Sequence, residues 1–209
     1  CAISSRNPQG RQQKKVFQSF LPWGFQREQI HRRGDPSLPK NRSKKKKPVL
    51  DEEQTSRFMK LIEEKKCDPD IKRIIKVLLY TGMRCGECLA LSWNDINFEE
   101  MTISIEHNLA DVGGKHWLTT PKTESSIRII GMSQALADIF REQKKYQEQL
   151  IEALGEDFSH PEMVFTSASG NYRDRSSLGT SLKRFLRGTE FDFLTLHSLR
   201  HCNATLLLN

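Results

Sequence analysis

The sequence predicts an α+β domain that is mainly helical, contains a small three-stranded antiparallel sheet and is preceded by a basic arm. Three observations support this fold class. After Pro48, most apolar residues recur at helical spacing. Near the middle of the chain, apolar residues alternate with polar ones, as in half-buried strands. Before Pro48 neither period is present, and basic residues dominate.

The basic arm covers residues 1–48. It contains 13 Lys and Arg residues against two acidic ones, a net charge of +11, whereas residues 49–209 have a net charge of −4. Prolines and glycines interrupt any long helix there. The arm ends in four consecutive lysines, which are Lys44, Lys45, Lys46 and Lys47. Such a segment either neutralises nucleic-acid phosphates, giving salt-sensitive and sequence-independent affinity, or acts as a solvated tail.

The composition excludes several classes of protein. The chain of 209 residues is long enough for one domain with its own core in addition to the arm. No run approaches the ~18 to 20 consecutive apolar residues of a membrane helix, and the N-terminus does not resemble a secretory signal. Five scattered cysteines are more typical of reduced intracellular thiols than of a disulfide framework. We therefore expect a soluble, cytoplasmic protein.

The first helices follow from caps and apolar spacing. Asp51 and Gln54 form a capping-box pattern, which predicts a helix over residues 51–66. Pro69 begins a second helix, and Gly82 is placed to end it. A third, short helix is predicted through Glu87–Leu91, followed by a turn at Trp93–Asp95.

The sheet is predicted from alternation and turns. Met101, Ile103 and Ile105 alternate with polar residues, which indicates a strand. Turn residues at 111–114 separate this strand from two further segments. The two further strands are predicted at Lys115–Thr120 and Ser125–Ile130, joined through Pro121–Thr123.

Helices return in the last third of the chain. Ser133 is predicted to cap a long helix, with an inner side formed by Leu136, Ile139, Phe140, Leu150, Ile151 and Leu154. Met163–Phe165 is predicted to be a short buried segment. Two more helices are predicted at Leu178–Leu186 and from near Thr195 onward.

A first candidate site lies where the second helix gives way to the third. In Thr81–Leu89 a glycine ends one helix, and Arg84 begins the next. The Arg84 guanidinium can be aimed into a cleft, with Glu87 three residues later to orient a neighbouring group. The alternative is a capping arginine paired with a surface glutamate.

Two further patterns carry reactive side chains. Lys122 lies at the predicted hairpin tip, where a lysine can reach across a groove as a charge or proton donor, or remain solvated. In His197-Ser198-Leu199-Arg200-His201, residues 197 and 200 share one helical face. An imidazole and a guanidinium side by side favour binding of an anion.

Cys85 and Cys88 have the spacing of a metal or redox pair. Zinc would need two more ligands at suitable spacing, and no second cysteine pair exists. A redox motif would need a βαβ context, which the sequence does not predict. We expect both residues to be small core thiols, and we expect no metal.

Together the three patterns resemble one family, the tyrosine recombinases or phage-type integrases, particularly those of conjugative transposons. The resemblance covers residues 48–209 and implies an integrase-type catalytic domain over 49–209. It also implies that residues 1–48 are a linker with a remnant of the core-binding domain. The catalytic residues implied by the resemblance are Arg84, Lys122, His197 and Arg200.

The resemblance implies site-specific recombination of double-stranded DNA through a 3′-phosphotyrosine intermediate, without a cofactor. Arg84 and Arg200 would stabilise charge on the phosphate, and Lys122 would protonate the leaving 5′ oxygen. His197 would hydrogen-bond the phosphate. Glu87 and His201 are assigned supporting roles. Family members assemble on DNA as tetramers, so self-association is also expected.

The family's attacking tyrosine lies well downstream of His-x-x-Arg, and this sequence ends nine residues after Arg200. Tyr80, Tyr146 and Tyr172 all lie upstream, and we expect each to be structural. The expected polypeptide is thus a C-terminally incomplete catalytic domain that lacks its nucleophile. The alternative is a noncatalytic DNA-binding remnant of an integrase.

Overall fold

The computed structural model describes residues 50–120 and 127–206, with side chains described to residue 203. These residues belong to one compact unit, residues 46–209. The described helices are α1 (Glu52–Glu64), α2 (Pro69–Thr81), α3 (Cys85–Leu89), α4 (Gln134–Leu154), α5 (Arg175–Leu186) and α6 (Leu196–Leu206). None of the described helices combines the length and apolar character that crossing a membrane requires.

The described strands form two separate antiparallel sheets. The strands are β1 (Ile96–Asn97), β2 (Thr102–Ile105), β3 (Asn108–Val112), β4 (Lys115–Thr119) and β5 (Arg128–Gly131). One sheet has the order β1-β2-β5, and β3 pairs with β4 in a hairpin. A small three-stranded antiparallel sheet is therefore present, which confirms the fold class.

The strands of that sheet differ from the predicted ones. We expected the segment beginning at Lys115 to join the sheet, but among the described strands it pairs with β3 alone, in the register Leu109↔Leu118. The short strands β1 and β3 were missed, because neither shows sustained alternation of apolar and polar residues. The turn predicted at 111–114 is the hairpin turn, where Gly113 and Gly114 both have positive φ.

The helix ends follow the predicted caps. The Asp51 carboxylate accepts from the Gln54 backbone N–H at 2.7 Å, and the Asp51 backbone N–H donates to the Gln54 side chain. At the end of α2, Gly82 adopts φ 60° and donates its backbone N–H to the Leu78 carbonyl oxygen. The Ser133 hydroxyl accepts from the Leu136 N–H at the start of α4.

The predicted inner side of α4 is confirmed for the first half of the helix and is wrong for the second half. Leu150 and Ile151 are half-buried and Leu154 is 38% exposed, whereas Gln143 and Gln147 are buried. The two glutamine side chains donate to the carbonyl oxygens of Val164 and Met163. These bonds provide hydrogen-bond donors for two buried carbonyl oxygens of the segment 163–165, which runs beside α4. Hydrogen bonding to a buried backbone thus replaces the apolar contacts that the prediction assumed.

The core surrounds α2, which packs against α4 and α6. The largest fully buried side chains of the core include Phe58, Ile74, Leu78, Phe140 and Phe165, which lie on α1, α2, α4 and the segment 163–165. Burial of these apolar surfaces is the main stabilising contribution to the fold. The packing of α2 against α6 brings the end of α2 close to the helix that carries the His-x-x-Arg pattern.

Candidate active site

Arg84 is positioned by the break between α2 and α3. It has an extended backbone conformation and directly precedes α3. Its backbone N–H donates to Glu87 Oε2 at 2.8 Å, and its Nη1 donates to Glu87 Oε1 at 2.7 Å. The Glu87 side chain is only 3% exposed, whereas that of Arg84 is 57% exposed. Glu87 is therefore a buried residue that fixes Arg84 in place, and the alternative interpretation of a surface glutamate is wrong.

Glu87 is shared by three arginines. Besides Arg84, Arg128 Nη2 donates to Glu87 Oε2 at 2.8 Å, and Arg200 Nη1 lies 3.9 Å from the same oxygen. Burial alone would raise the pKa of Glu87, but the hydrogen bonds from Arg128 and Arg84 outweigh it and hold the pKa below its usual value. The three guanidinium groups and the one carboxylate have a summed charge of +2.

Arg200 brings a buried donor atom to this cluster. Its Nη1 is buried and has no hydrogen-bond partner among the described residues. Burial and the positive charge of Arg84 both lower the pKa of Arg200. A guanidinium is nevertheless charged at neutral pH. A buried N–H donor without a hydrogen-bond partner is unfavourable, so this site favours binding of an anion that accepts from it.

His197 lies near the start of α6. Thr195 and Ser198 cap this helix, with the Ser198 N–H donating to Thr195 Oγ1 at 3.1 Å. The His197 ring is exposed, and its Nε2 lies 3.1 Å from Nε2 of His201. Residues 197 and 200 line the same small pocket, as their spacing predicts.

That pocket has a volume of about 110 Å³. Its polar side chains come from the α2–α3 break, β3, the first turn of α5, and α6, and they are Arg84, Asn108, Arg175, His197 and Arg200. Such a small, cationic cavity suits a single tetrahedral anion better than an extended organic ligand. Lys122 and Lys44–Lys47 lie outside the described residues.

Two arginines of the site were not predicted from the sequence. In β5 the arginine faces inward while Ile129 is 71% exposed, which reverses the alternation expected of an Ile-Arg-Ile sequence. Arg175 lies before Leu178, where the predicted helix begins, so it was not expected on a helix. In the structure it is the first residue of α5. The sequence signal that could have pointed to Arg128 was weak, because a buried glutamate requires cations around it and the burial of Glu87 was not predicted.

Neither cysteine nor tyrosine supplies a nucleophile to this pocket. Cys85 contributes to its wall, but burial raises the pKa of this thiol to about 11. Cys88 is fully buried, so the prediction of core thiols is confirmed. No group of three or more metal-binding side chains exists among residues 50–120 and 127–203.

The three tyrosines have other surroundings, and none of them lines the pocket. Tyr146 lies beneath the Arg73 guanidinium at 4.7 Å, and Tyr172 stacks on His160 at 4.1 Å. Tyr80 lies in the last turn of α2, where its carbonyl oxygen accepts from Asn203.

The sequence matches one protein family over most of its length. The model of the phage integrase family matches residues 48–209. The ICEBs1 integrase of Bacillus subtilis is 30% identical over 171 residues, covering 80% of this chain and 45% of the relative. The transposase from transposon Tn916 of Enterococcus faecalis is 25% identical, covering 76% of this chain and 40% of the relative. The chain thus spans less than half the length of these curated relatives.

Solved structures show the same fold. The chain is similar to the Tn1549 transposon integrase in complex with transposon right end DNA, with a TM-score of 0.63 and 24% identity, covering 78% of this chain and 54% of that one. It is also similar to the XerA recombinase, with a TM-score of 0.57 and 21% identity, covering 77% and 50% of the two chains.

Proposed function

The chain belongs to the phage integrase family, and on that premise we propose that its pocket binds the reacting phosphate of a DNA strand in site-specific recombination. The observation that carries the proposal is the set of three arginines around buried Glu87, with Arg200 Nη1 buried and lacking a partner among the described residues. A phosphodiester supplies both the negative charge and the acceptor oxygens that this arrangement favours.

Each residue then has a chemical role. Attack on the phosphodiester concentrates negative charge on its non-bridging oxygens, which Arg84 and Arg200 stabilise. His197 hydrogen-bonds the same group. The 5′ oxygen is a poor leaving group unless it is protonated, and we assign the donation of that proton to Lys122. Glu87 orients the arginines.

Arg128 has a different role in this proposal. It is bonded to Glu87 Oε2 rather than lining the pocket. It therefore helps to fix the carboxylate to which Arg84 is bonded, and it adds long-range attraction for DNA.

Binding of duplex DNA tests the proposal. We expect Arg200→Gln to weaken binding about 10-fold, because one charge-assisted phosphate contact is lost, and to flatten the dependence of log affinity on log salt by roughly one unit. The matched control is Arg141→Gln, which removes the same charge from α4, where Arg141 pairs with Asp138. Equal losses in both variants would contradict a specific role for Arg200.

Strand cleavage separates catalysis from simple DNA binding. The family reaction proceeds through a 3′-phosphotyrosine, but none of the three tyrosines of this polypeptide lines the pocket. We therefore expect this 209-residue polypeptide to bind DNA without forming a covalent adduct on a nicked suicide substrate, as a noncatalytic binding fragment would. A covalent adduct would contradict this expectation, and its loss on replacing Tyr80, Tyr146 or Tyr172 with phenylalanine would identify the nucleophile.

A further inference from the structure

A buried ionic network connects the start of α2 with the chain that leads into α5, and the proposed function does not use it. Asp70, in the first turn of α2, is 1% exposed. Its Oδ2 accepts a hydrogen bond from Nη2 of Arg173. Its Oδ1 lies 4.0 Å from Nη2 of Arg73, and neither of these two atoms has a hydrogen-bond partner among the described residues. The carboxylate therefore lies between two arginines from different parts of the chain.

Hydrogen bonds connect this network to the rest of the core. Arg73 Nε donates to Oε1 of Gln143 at 2.5 Å, and Nε2 of Gln143 donates to the carbonyl oxygen of Val164 at 3.0 Å. Arg173 Nε donates to the carbonyl oxygen of Thr166 at 3.3 Å. The network thus joins α2, α4 and the chain on both sides of residue 170.

The burial of Asp70 fixes the position of Arg173. Burial raises the pKa of Asp70, and the charges of Arg173 and Arg73 oppose that rise only in part. A buried ion pair of this kind contributes little net stability, because desolvation offsets the attraction. Separating the pair is nevertheless strongly unfavourable, since it leaves an uncompensated charge in the interior. Arg173 is therefore held in one place relative to α2.

The constraint on Arg173 extends to the anion pocket through two further residues. Asp174 caps α5, with its carboxylate accepting from the Ser177 N–H at 2.6 Å. Arg175, the first residue of α5, lines the same pocket of about 110 Å³ as Arg200. Three consecutive residues thus provide an interior contact, a helix cap and a cation at the pocket.

The charge of Arg175 acts on the wall of that pocket. Burial raises the pKa of Cys85, and the charge of Arg175 opposes that rise. Arg175 also lines two further cavities, of about 270 and 480 Å³, and Asp111 lines both of these. A guanidinium that shifted toward Asp111 would gain an ion pair and leave the phosphate pocket. Fixing the start of α5 limits such a shift.

We propose that Asp70 is a positioning residue that, through Arg173, holds Arg175 at the anion pocket, where Arg175 contacts the DNA phosphate. This inference rests on the proposed function. It adds one arginine to the groups that bind the phosphate. It also assigns an indirect role to Asp70, which does not line the pocket.

The test is binding of duplex DNA by the full chain at several salt concentrations. Asp70→Asn retains the shape of the side chain and makes the chain more positive, so long-range electrostatics alone predicts tighter binding. Displacement of Arg175 predicts the opposite. We expect Asp70→Asn to weaken binding about 5-fold and to flatten the salt dependence, against about 10-fold for Arg175→Gln, which removes the phosphate contact completely.

The double variant separates positioning from general damage to the structure. In the Arg175→Gln background, Asp70→Asn should change the affinity by less than about 2-fold, because two residues that act through one contact are not additive. Losses that multiply in the double variant would overturn the proposal. A folded Asp70→Asn chain that binds DNA as tightly as the unsubstituted chain, or more tightly, would also overturn it.

The matched control is Ile62→Ala, which leaves a cavity at a fully buried position on α1. This variant lowers stability without altering the Asp70 network, so its DNA affinity and salt dependence should equal those of the unsubstituted chain. If it weakens binding as much as Asp70→Asn does, the effect of Asp70 is not one of positioning.

A second variant applies if Asp70→Asn does not fold. Arg173→Gln breaks the same contact at its more exposed end, where the side chain is 17% exposed. It should weaken binding in the unsubstituted chain but by less than about 2-fold in the Arg175→Gln background, whereas a simple loss of charge acts equally in both. The Arg200→Gln test remains independent. If Arg200→Gln weakens binding and the Asp70 and Arg173 variants do not, the present inference fails while the proposed function stands.

Discussion

Replacing Glu87 with alanine is expected to lower the free energy of unfolding by about 3–5 kcal/mol, the usual cost of removing one partner from a buried ionic network. The Glu87 carboxylate is 3% exposed and accepts hydrogen bonds from Arg84 and Arg128. Without it, the guanidinium groups of Arg84, Arg128 and Arg200 repel one another and lose their shared acceptor. Urea unfolding measures the loss.

The matched control for Glu87→Ala is Glu53→Ala on α1. Glu53 is also paired with an arginine, Arg57, at 2.6 Å, but its side chain is 84% exposed. Exposed pairs of this kind contribute less than about 1 kcal/mol. A similar loss in both variants would mean that burial of Glu87 does not strengthen its interactions.

Glu87 should also make the free energy of unfolding depend on pH. The folded state holds the pKa of Glu87 below its usual value. Its contribution to stability is therefore complete above the unfolded pKa and is lost as the pH falls through the folded pKa. We expect the stability difference between the natural chain and Glu87→Gln to shrink as the pH decreases from 7 to 3. A difference that stays constant over this range would contradict the assignment.

Replacing Gly82 with alanine is expected to lower the free energy of unfolding by about 3–4 kcal/mol. The residue has φ 60°, where an L side chain is disfavoured by about 1–2 kcal/mol. A Cβ there would also collide with Oδ1 of Asn203 and lie 2.9 Å from its Cγ. Asn203 Nδ2 donates to the carbonyl oxygens of Leu79 and Tyr80 at 2.8 and 2.9 Å. Displacing it would break two bonds of about 1 kcal/mol each.

Gly114 provides the control for backbone strain alone. It has φ 75° in the β3–β4 turn, and nothing lies within 4 Å of the position that a Cβ would take. Gly114→Ala should therefore cost only about 1–2 kcal/mol. Thermal unfolding of the two variants separates the backbone contribution from that of Asn203. Equal decreases in Tm would mean that the contact between α2 and α6 adds nothing.

The features that were predictable from the sequence are those set by local chemistry. The capping box of Asp51 and Gln54, the positive φ of Gly82 and the cap at Ser133 each depend on residues within one turn. The shared face of His197 and Arg200 follows from helical spacing alone. These predictions needed no knowledge of which elements pack together.

The features that were missed depend on long-range partners. Gln143 and Gln147 are buried because the backbone of residues 163 and 164 needs donors, and no periodicity of apolar residues indicates that. Arg128 faces inward because Glu87, 41 positions away, needs a counter-ion. The register of a short hairpin such as β3–β4 also depends on its neighbours rather than on its own sequence.

The Glu87 network joins residues that are far apart in the chain, with Arg128 separated from Glu87 by 41 positions and Arg200 farther still. An unfolded chain therefore has no anion-binding cavity. By linkage, any phosphate that occupies this cavity shifts the folding equilibrium toward the native state by RT ln(1 + [L]/Kd). Binding of an anion in this pocket and folding of the domain are thus thermodynamically coupled, and an anion that fills the pocket also stabilises the polypeptide.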